Sequence, residues 1–199
     1  MFTQGSKRYS GRGELSLEVR RQLFHLFLIL LWCVPIAYFP EPLTIGLFVL
    51  VVVLNVSVVL RYEPLARLFR PLIESLERSK NLEKPGIQAL YANLGIFLSY
   101  LLFGELSLVG VVVLAVGDSF STLVGKLIGE RRLFFNASKT WEGSLAFFLS
   151  VYVVLVFYLD YNLALLLSVF SSLLEAAKLP LDDNFLLPVA VSSLYYLVW

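Results

Sequence analysis

Residues 117–144 read GDSFSTLVGKLIGERRLFFNASKTWEGS, an acid inside an apolar helical run followed by glycines, bases and a second acid. Asp118, Thr122, Gly125 and Gly129 recur at i, i+4, i+7 and i+11, so on a helix they share one stripe of polar and small residues. An ionised carboxylate near a bilayer centre costs on the order of 3 kcal/mol even on the lenient insertion scale, so a cation, a base or a donor must compensate for it. Around it the chain supplies Lys126, Arg131, Arg132, Lys139 and Glu142, and later Glu175, Asp182, Asp183 and Asn184. Carboxylates and an amide are hard oxygen donors suited to Mg²⁺, which binds through one or two carboxylates plus substrate phosphates. Lysines, arginines and closely spaced glycines suit the polyphosphate of a nucleotide. Acid and base together suggest metal-assisted phosphoryl or nucleotidyl chemistry at a membrane face. Plainer readings stand beside this one: a buried acid satisfied by a hydroxyl, glycines that serve close helix packing, and a Lys139 that snorkels to the interface. The segment is not a Walker A loop, because Gly117 precedes Gly125 by eight residues and Leu127 follows Lys126.

The elements that must position these groups are greasy. Of the 199 residues 58% are hydrophobic and 16% charged, and the mean hydropathy is +0.79. That composition is expected of an integral membrane protein. Sixteen bases against 15 acids leave a net charge of +1, with no excess to suggest nucleic acid. Cys33 is the single cysteine, so no disulfide can form within the chain. Apolar runs long enough to cross a bilayer fall at about 22–39, 43–60, 87–103, 106–128, 143–159, 163–179 and 184–199. The expected fold is all-α, a single polytopic bundle of about seven transmembrane helices over residues 1–199, with 1–21 as a basic tail. All Lys and Arg fall in the tail or on alternate connections, which predicts a cytoplasmic N-terminus and an outside C-terminus. Residues 61–84 carry Leu65, Leu68, Phe69, Leu72, Ile73 and Leu76 at helical spacing and predict an amphipathic interfacial helix, either a linker on the membrane or a lid over a site.

The order Gly117-Asp118-Ser119, Gly125, Gly129, Lys139-Thr140, Glu142-Gly143-Ser144 resembles the cytidine-nucleotide signature of the membrane family that includes dolichol kinase, phytol kinase and the CTP-dependent diacylglycerol kinase. The phosphatidate cytidylyltransferases carry a related pattern. RRQLFH at 20–25 is similar to the kinase branch's basic-pair-to-histidine element, and Glu175 followed by DDNFLLP is similar to its C-terminal acidic segment. Alanine is frequent in the family where Ser119 and Ser121 stand, a departure that bears on the lipid more than on the nucleotide.

The resemblance implies that Asp118 and Glu142 hold Mg²⁺ or position the nucleotide, and that Lys139 and Lys126 meet phosphates. Thr140, Gly143 and Ser144 would complete a CTP-binding segment at 117–144, with Ser119, Thr122, Gly125, Gly129, Arg131, Asn184 and His25 around it. Glu175, Asp182, Asp183 and Asn184 would add metal ligands or the base that takes the alcohol proton. For His25, a site contact and a satisfied interfacial residue both remain open. The implied reaction is transfer of the CTP γ-phosphate to a membrane isoprenoid alcohol such as a polyprenol, dolichol or phytol-like lipid, or to diacylglycerol. It would face the cytoplasm, with a prokaryotic plasma membrane as the expected compartment. The rivals are a CDP-lipid synthase and a small ion or solute transporter, for which no pseudo-symmetric halves are visible.

Overall fold

The computed structural model describes residues 4–65, 67, 68 and 85–199, and the side chains among them from residue 15 onward. The amphipathic helix expected over 61–84 lies largely outside the described residues.

Proline and glycine set the breaks between helices. Helix α1 (Gln4–Leu31) begins within the basic tail, and α2 (Cys33–Tyr38) follows after a turn at Trp32. Pro35 has no N–H to give Leu31, and its ring crowds that carbonyl, so the helix breaks where the sequence places an imino acid in an apolar run. Pro40 caps α3 (Glu41–Val59), and Gly86, at φ 77°, opens α4 (Ile87–Phe103). At Gly104 the backbone takes φ 56°, ψ −131°, a region open to glycine and closed to other residues, and the chain turns back through a 3₁₀ turn. It continues as α5 (Ser107–Val113), a π-helical turn over Leu114–Asp118, and α6 (Ser119–Leu127). After a connection at 128–140 come α7 (Trp141–Leu155), α8 (Tyr161–Ala176) and α9 (Asp183–Val198). Side-chain caps start the last three: Thr140 accepts from Gly143 N, Asp160 from Asn162 N and Leu163 N, and Asp182 from Asn184 N.

Among the described residues, three helical stretches suffice by length and composition to cross a membrane: Leu15–Tyr38, Glu41–Val59 and Ile87–Leu127. The last is two legs folded at Gly104, and α7, α8 and α9 are shorter apolar helices. This is an all-helical membrane protein, with no strand among the described residues.

Helix α9 packs between the two legs. A Cβ on Gly95 would stand 2.5 Å from the Phe185 carbonyl oxygen, and one on Gly110 would stand 2.4 Å from that of Pro188, so only glycine permits these backbone approaches. Pro188 has no N–H to give Asn184 O, and separately Ser99 Oγ donates to the Pro188 carbonyl at 3.2 Å. Gly95 beside Phe185, Ser99 beside Pro188 and Phe103 beside Tyr196 make α4 parallel to α9. Gly110 beside Pro188 and Ser192, with Asp118 near Asp183, make the second leg antiparallel to it. The N-terminal ends of α4, α7 and α9 therefore share one end of the bundle with the C-terminal ends of α6 and α8. Below them Phe48 is fully buried and stacks on Trp32, with centroids 3.8 Å apart, and on Phe97 at 5.0 Å.

Candidate active site

Asp118 ends the π-helical turn, where one extra residue per turn re-aims the side chains that follow, a distortion that in helices accompanies functional positions. Its Oδ2 lies 3.5 Å from Nε2 of His25 on α1, and both side chains are about one-fifth exposed. One turn before His25, Arg21 meets Glu18 Oε1 at 2.5 Å and donates to Gln88 Oε1 of α4 at 3.3 Å. Glu18 also pairs with Lys126. So α1 is tied at this end to α4 through Gln88 and to α6 through Lys126.

Lys139 is the centre of the second cluster. Its Nζ is 2.7 Å from Glu175 Oε1 and 2.7 Å from Asp183 Oδ2, and Ser121 Oγ donates to the same Glu175 oxygen at 2.8 Å. Burial alone would lower the ammonium's pKa, but the Glu175 and Asp183 carboxylates outweigh it and hold the pKa above the ordinary lysine value. Three helices and one connection are needed to bring these four side chains together. The connection is built for it: Trp141 N donates to Arg131 O at 3.0 Å, Leu133 N to Lys139 O at 3.1 Å, and buried Leu133 pins it. Asn136 fastens the far end, its Nδ2 donating to Ala176 O at 3.0 Å while its Oδ1 accepts from Ser138 Oγ at 2.6 Å.

Two cavities meet at this cluster. The larger, about 530 Å³, takes His25, Asp118, Thr122, Lys139, Asp182, Asp183 and Asn184 on its polar side, and extends between α1, α3 and α4 along Leu28, Ile29, Val51, Leu54, Val58 and Ala92. The smaller, about 380 Å³, lies between the 136–139 and 177–183 segments and is lined by Asn136, Ser138, Lys178 and again Lys139, Asp182 and Asp183. The shared wall is thus Lys139, Asp182 and Asp183.

Other residues singled out from the sequence sit elsewhere. Gly125, Gly129 and Gly143 meet around Thr140: a Cβ on Gly129 would lie 2.7 Å from Thr140 Oγ1, and one on Gly143 would lie 3.0 Å from it. In this arrangement the glycines let α6, α7 and the connection touch. Glu142 accepts from Arg131 N at 3.4 Å and closes the base of the connection, apart from either cavity. Arg131 is exposed, Ser119 is buried with its Oγ donating to Gln22 O at 3.4 Å, and Ser144 Oγ is buried with no partner. Gln88, Asn136, Asn55 and Asn93 carry polar contacts that the sequence reading did not single out. Asn55 and Asn93 had a usable signal, since an amide inside a membrane helix needs a partner.

A divalent ion was implied by the sequence, and the donors here are of the right kind. Asp118, Asp182 and Asp183 line one cavity, and both Asn184 Oδ1 and Glu175 Oε2 are buried acceptors with no partner. Among the described residues no group of three or more His, Cys, Asp or Glu side chains is arranged to hold a metal by itself.

Fold and site together define a helical membrane protein with an acid-and-base cluster between two cavities, the larger of which has an apolar arm. No family model matches the chain, and no solved structure matches it. An uncharacterised protein of Methanocaldococcus jannaschii is 32% identical over 181 residues, 88% of this chain and 91% of that protein. Probable phytol kinase 1 of Oryza sativa subsp. japonica is 28% identical over 148 residues, 64% of this chain and 47% of its own. Dolichol kinase of Schizosaccharomyces pombe is 26% identical over 200 residues, 90% of this chain and 39% of its own. The chain therefore belongs to one family with the Methanocaldococcus jannaschii protein, and it is similar to phytol and dolichol kinases. It spans less than half the length of either kinase.

Proposed function

We propose that this protein is a lipid kinase that transfers the γ-phosphate of CTP to the hydroxyl of a membrane alcohol, an isoprenoid alcohol or a diacylglycerol. The observation that carries this reading is the shared wall of Lys139, Asp182 and Asp183. It stands between a cavity with an apolar arm, suited to a lipid, and a smaller cavity whose Lys139, Lys178, Asn136 and Ser138 suit the phosphates of a nucleotide.

In this reading the triphosphate enters the smaller cavity and Lys139 neutralises its terminal phosphate, a charge kept in place by Glu175 and Asp183. The acceptor hydroxyl enters the larger cavity beside Asp118. As its oxygen bonds to the γ-phosphorus and the bond to the β-phosphate oxygen breaks, the hydroxyl proton passes to the Asp118 carboxylate and CDP leaves. His25 Nε2, 3.5 Å from Asp118 Oδ2 and with no hydrogen-bond partner in this arrangement, stands beside that carboxylate and would orient it on closer approach. Mg²⁺ brought in with the triphosphate would neutralise charge on the phosphates, and Asp183 and Asn184, which line the larger cavity, would hold it. We assign the reaction to the cytoplasmic face of a prokaryotic plasma membrane, with the helical legs crossing seven times and the N-terminus inside.

The test is CTP labelled at the γ-phosphate, supplied with a panel of lipid alcohols and lipid phosphates. Label in the lipid is expected. Label released only as pyrophosphate would replace the kinase by a CDP-lipid synthase. Asp118→Asn should lower transfer about 100-fold or more, the usual worth of a positioned base, while the purified protein keeps its thermal transition. Full transfer by that variant would remove Asp118 from the role.

A further inference from the structure

The apolar arm of the larger cavity holds one polar device. Trp32 Nε1 donates to Asn93 Oδ1 at 2.8 Å, and Asn93 Nδ2 donates to Asn55 Oδ1 at 2.9 Å and to Ala89 O at 2.9 Å. An indole N–H can only donate, so it fixes which end of Asn93 faces Trp32. Asn93 must then present its NH₂ to Asn55, whose oxygen accepts, and every orientation in the chain is settled. What remains is Asn55 Nδ2, which has no hydrogen-bond partner among the described residues.

The depth of this donor follows from helix arithmetic. Gly95 touches the backbone of Asn184 and Phe185, and α4 runs parallel to α9, so Asn93 stands about 3 Å nearer the site end, level with Asp182–Asn184. Asn55, bonded to Asn93, shares that level. Both line the cavity that also takes His25 and Asp118. A free amide donor therefore stands at the depth of the acid cluster on another wall, among Val51, Leu54 and Val58 of its own helix.

We infer that Asn55 is a specificity-determining residue for the lipid: its amide donates to a second oxygen of the acceptor, an ether or ester oxygen close to the hydroxyl, so the preferred acceptor is of the diradylglycerol type and not an alcohol with one oxygen. This rests on the lipid-kinase reading for the word acceptor, but the lipid site itself does not. An all-carbon lipid leaves the Asn55 donor desolvated and unpaired, and a site built to donate a hydrogen bond discriminates against the analogue that lacks the partner.

The experiment measures binding as well as turnover, on the purified full chain in detergent micelles. The probes are a 1,2-dialkylglycerol, the matching diacylglycerol, and a branched primary alcohol of the same shape with methylenes in place of the ether oxygens. Wild type is expected to bind one or both oxygen-bearing lipids at least tenfold tighter than the carbon analogue, and the ether and ester arms show which oxygen is read. Asn55→Asp keeps an oxygen for Asn93 and removes the donor; it should bring the ratio close to one. Asn55→Leu serves the same end if the acid disturbs folding, and Asn55→Gln, which keeps a donor, should restore part of the ratio. Equal binding of the lipids by wild type, or a ratio untouched by Asn55→Asp and Asn55→Leu, overturns the inference. Phosphoryl transfer is followed in parallel. An Asn55-dependent ratio without transfer leaves the lipid site standing and removes the kinase reading, whereas transfer with no dependence on Asn55 does the reverse.

Discussion

Lys139 carries more of the site than any other side chain. It bonds two carboxylates, and Glu175 is only 1% exposed, so removing the ammonium leaves a buried charge with Ser121 as its remaining donor. Lys139→Ala is expected to abolish transfer and to destabilise the protein by about 3–5 kcal/mol, the usual result of breaking a buried pair from one side, read as a lower melting temperature in detergent. Because the Lys139 pKa is raised above the ordinary 10.5, its contribution to stability is complete below that value and lost only as pH rises through the higher one. The wild-type melting temperature should therefore show no Lys139-dependent loss between pH 7 and about 10, and Lys139→Met should remove a stabilisation that is constant across that range. A wild-type advantage over Lys139→Met that fades below pH 9 would contradict the paired geometry.

At the scale of elements, helix contacts depend on missing side chains. Gly110→Leu would drive Cβ to 2.4 Å from the Pro188 carbonyl and 2.5 Å from Ser192 Oγ. Separation of α5 from α9 and a large fall in melting temperature are expected. Gly46, on α3, has nothing within 4 Å, so Gly46→Ala should be neutral or stabilising by about 0.5–1 kcal/mol, since a helix loses less entropy with alanine. Equal melting temperatures for the Gly110 variant and wild type would refute this packing. The 128–140 connection is held by its own bonds and by Asn136 reaching Ala176. Asn136→Ala should free it, raise hydrogen exchange across that segment and raise the KM for nucleotide roughly tenfold, the worth of one good hydrogen bond to positioning. The helices themselves were legible, because apolar runs bounded by Pro and Gly mark them directly. The π-helical turn at Asp118 was not, since one extra residue in a turn alters no hydrophobic pattern.

For the whole molecule, the question is how its legs cross the bilayer. Phe134, in the 128–140 connection, and Phe157, in the turn between α7 and α8, are both well exposed, at 88% and 79%. If α7 crosses, cysteines placed at these two positions, in a background with Cys33→Ala, should react with an impermeant thiol reagent from opposite sides of sealed vesicles. Labelling of both from one side would remove α7 as a span and shorten the proposed seven. The bundle brings six separate elements to one end, and the site is made there from α1, α4, α6, α8, α9 and the connection.

The sequence by itself determined that the chain is a helical membrane protein and roughly where its apolar helices fall, and it pointed to Asp118, Lys139, Glu175, Asp182, Asp183 and Asn184 as candidates for one site. Those properties are local: apolar length, proline and glycine breaks, and the cost of a charge in hydrocarbon are each written in consecutive residues. Which of the groups touch was decided by the tertiary structure. Lys139 could have faced water, phosphate or Glu142; packing of α8 and α9 gave it Glu175 and Asp183. Gly125, Gly129 and Gly143 could have opened a cradle; the approach of α6 to α7 closed them around Thr140. Asn55, Asn93 and Trp32 form one directed chain only because α3, α4 and the turn between α1 and α2 meet. Hydrogen bonds between residues 38 and 61 positions apart are set by helix packing, which no local pattern encodes.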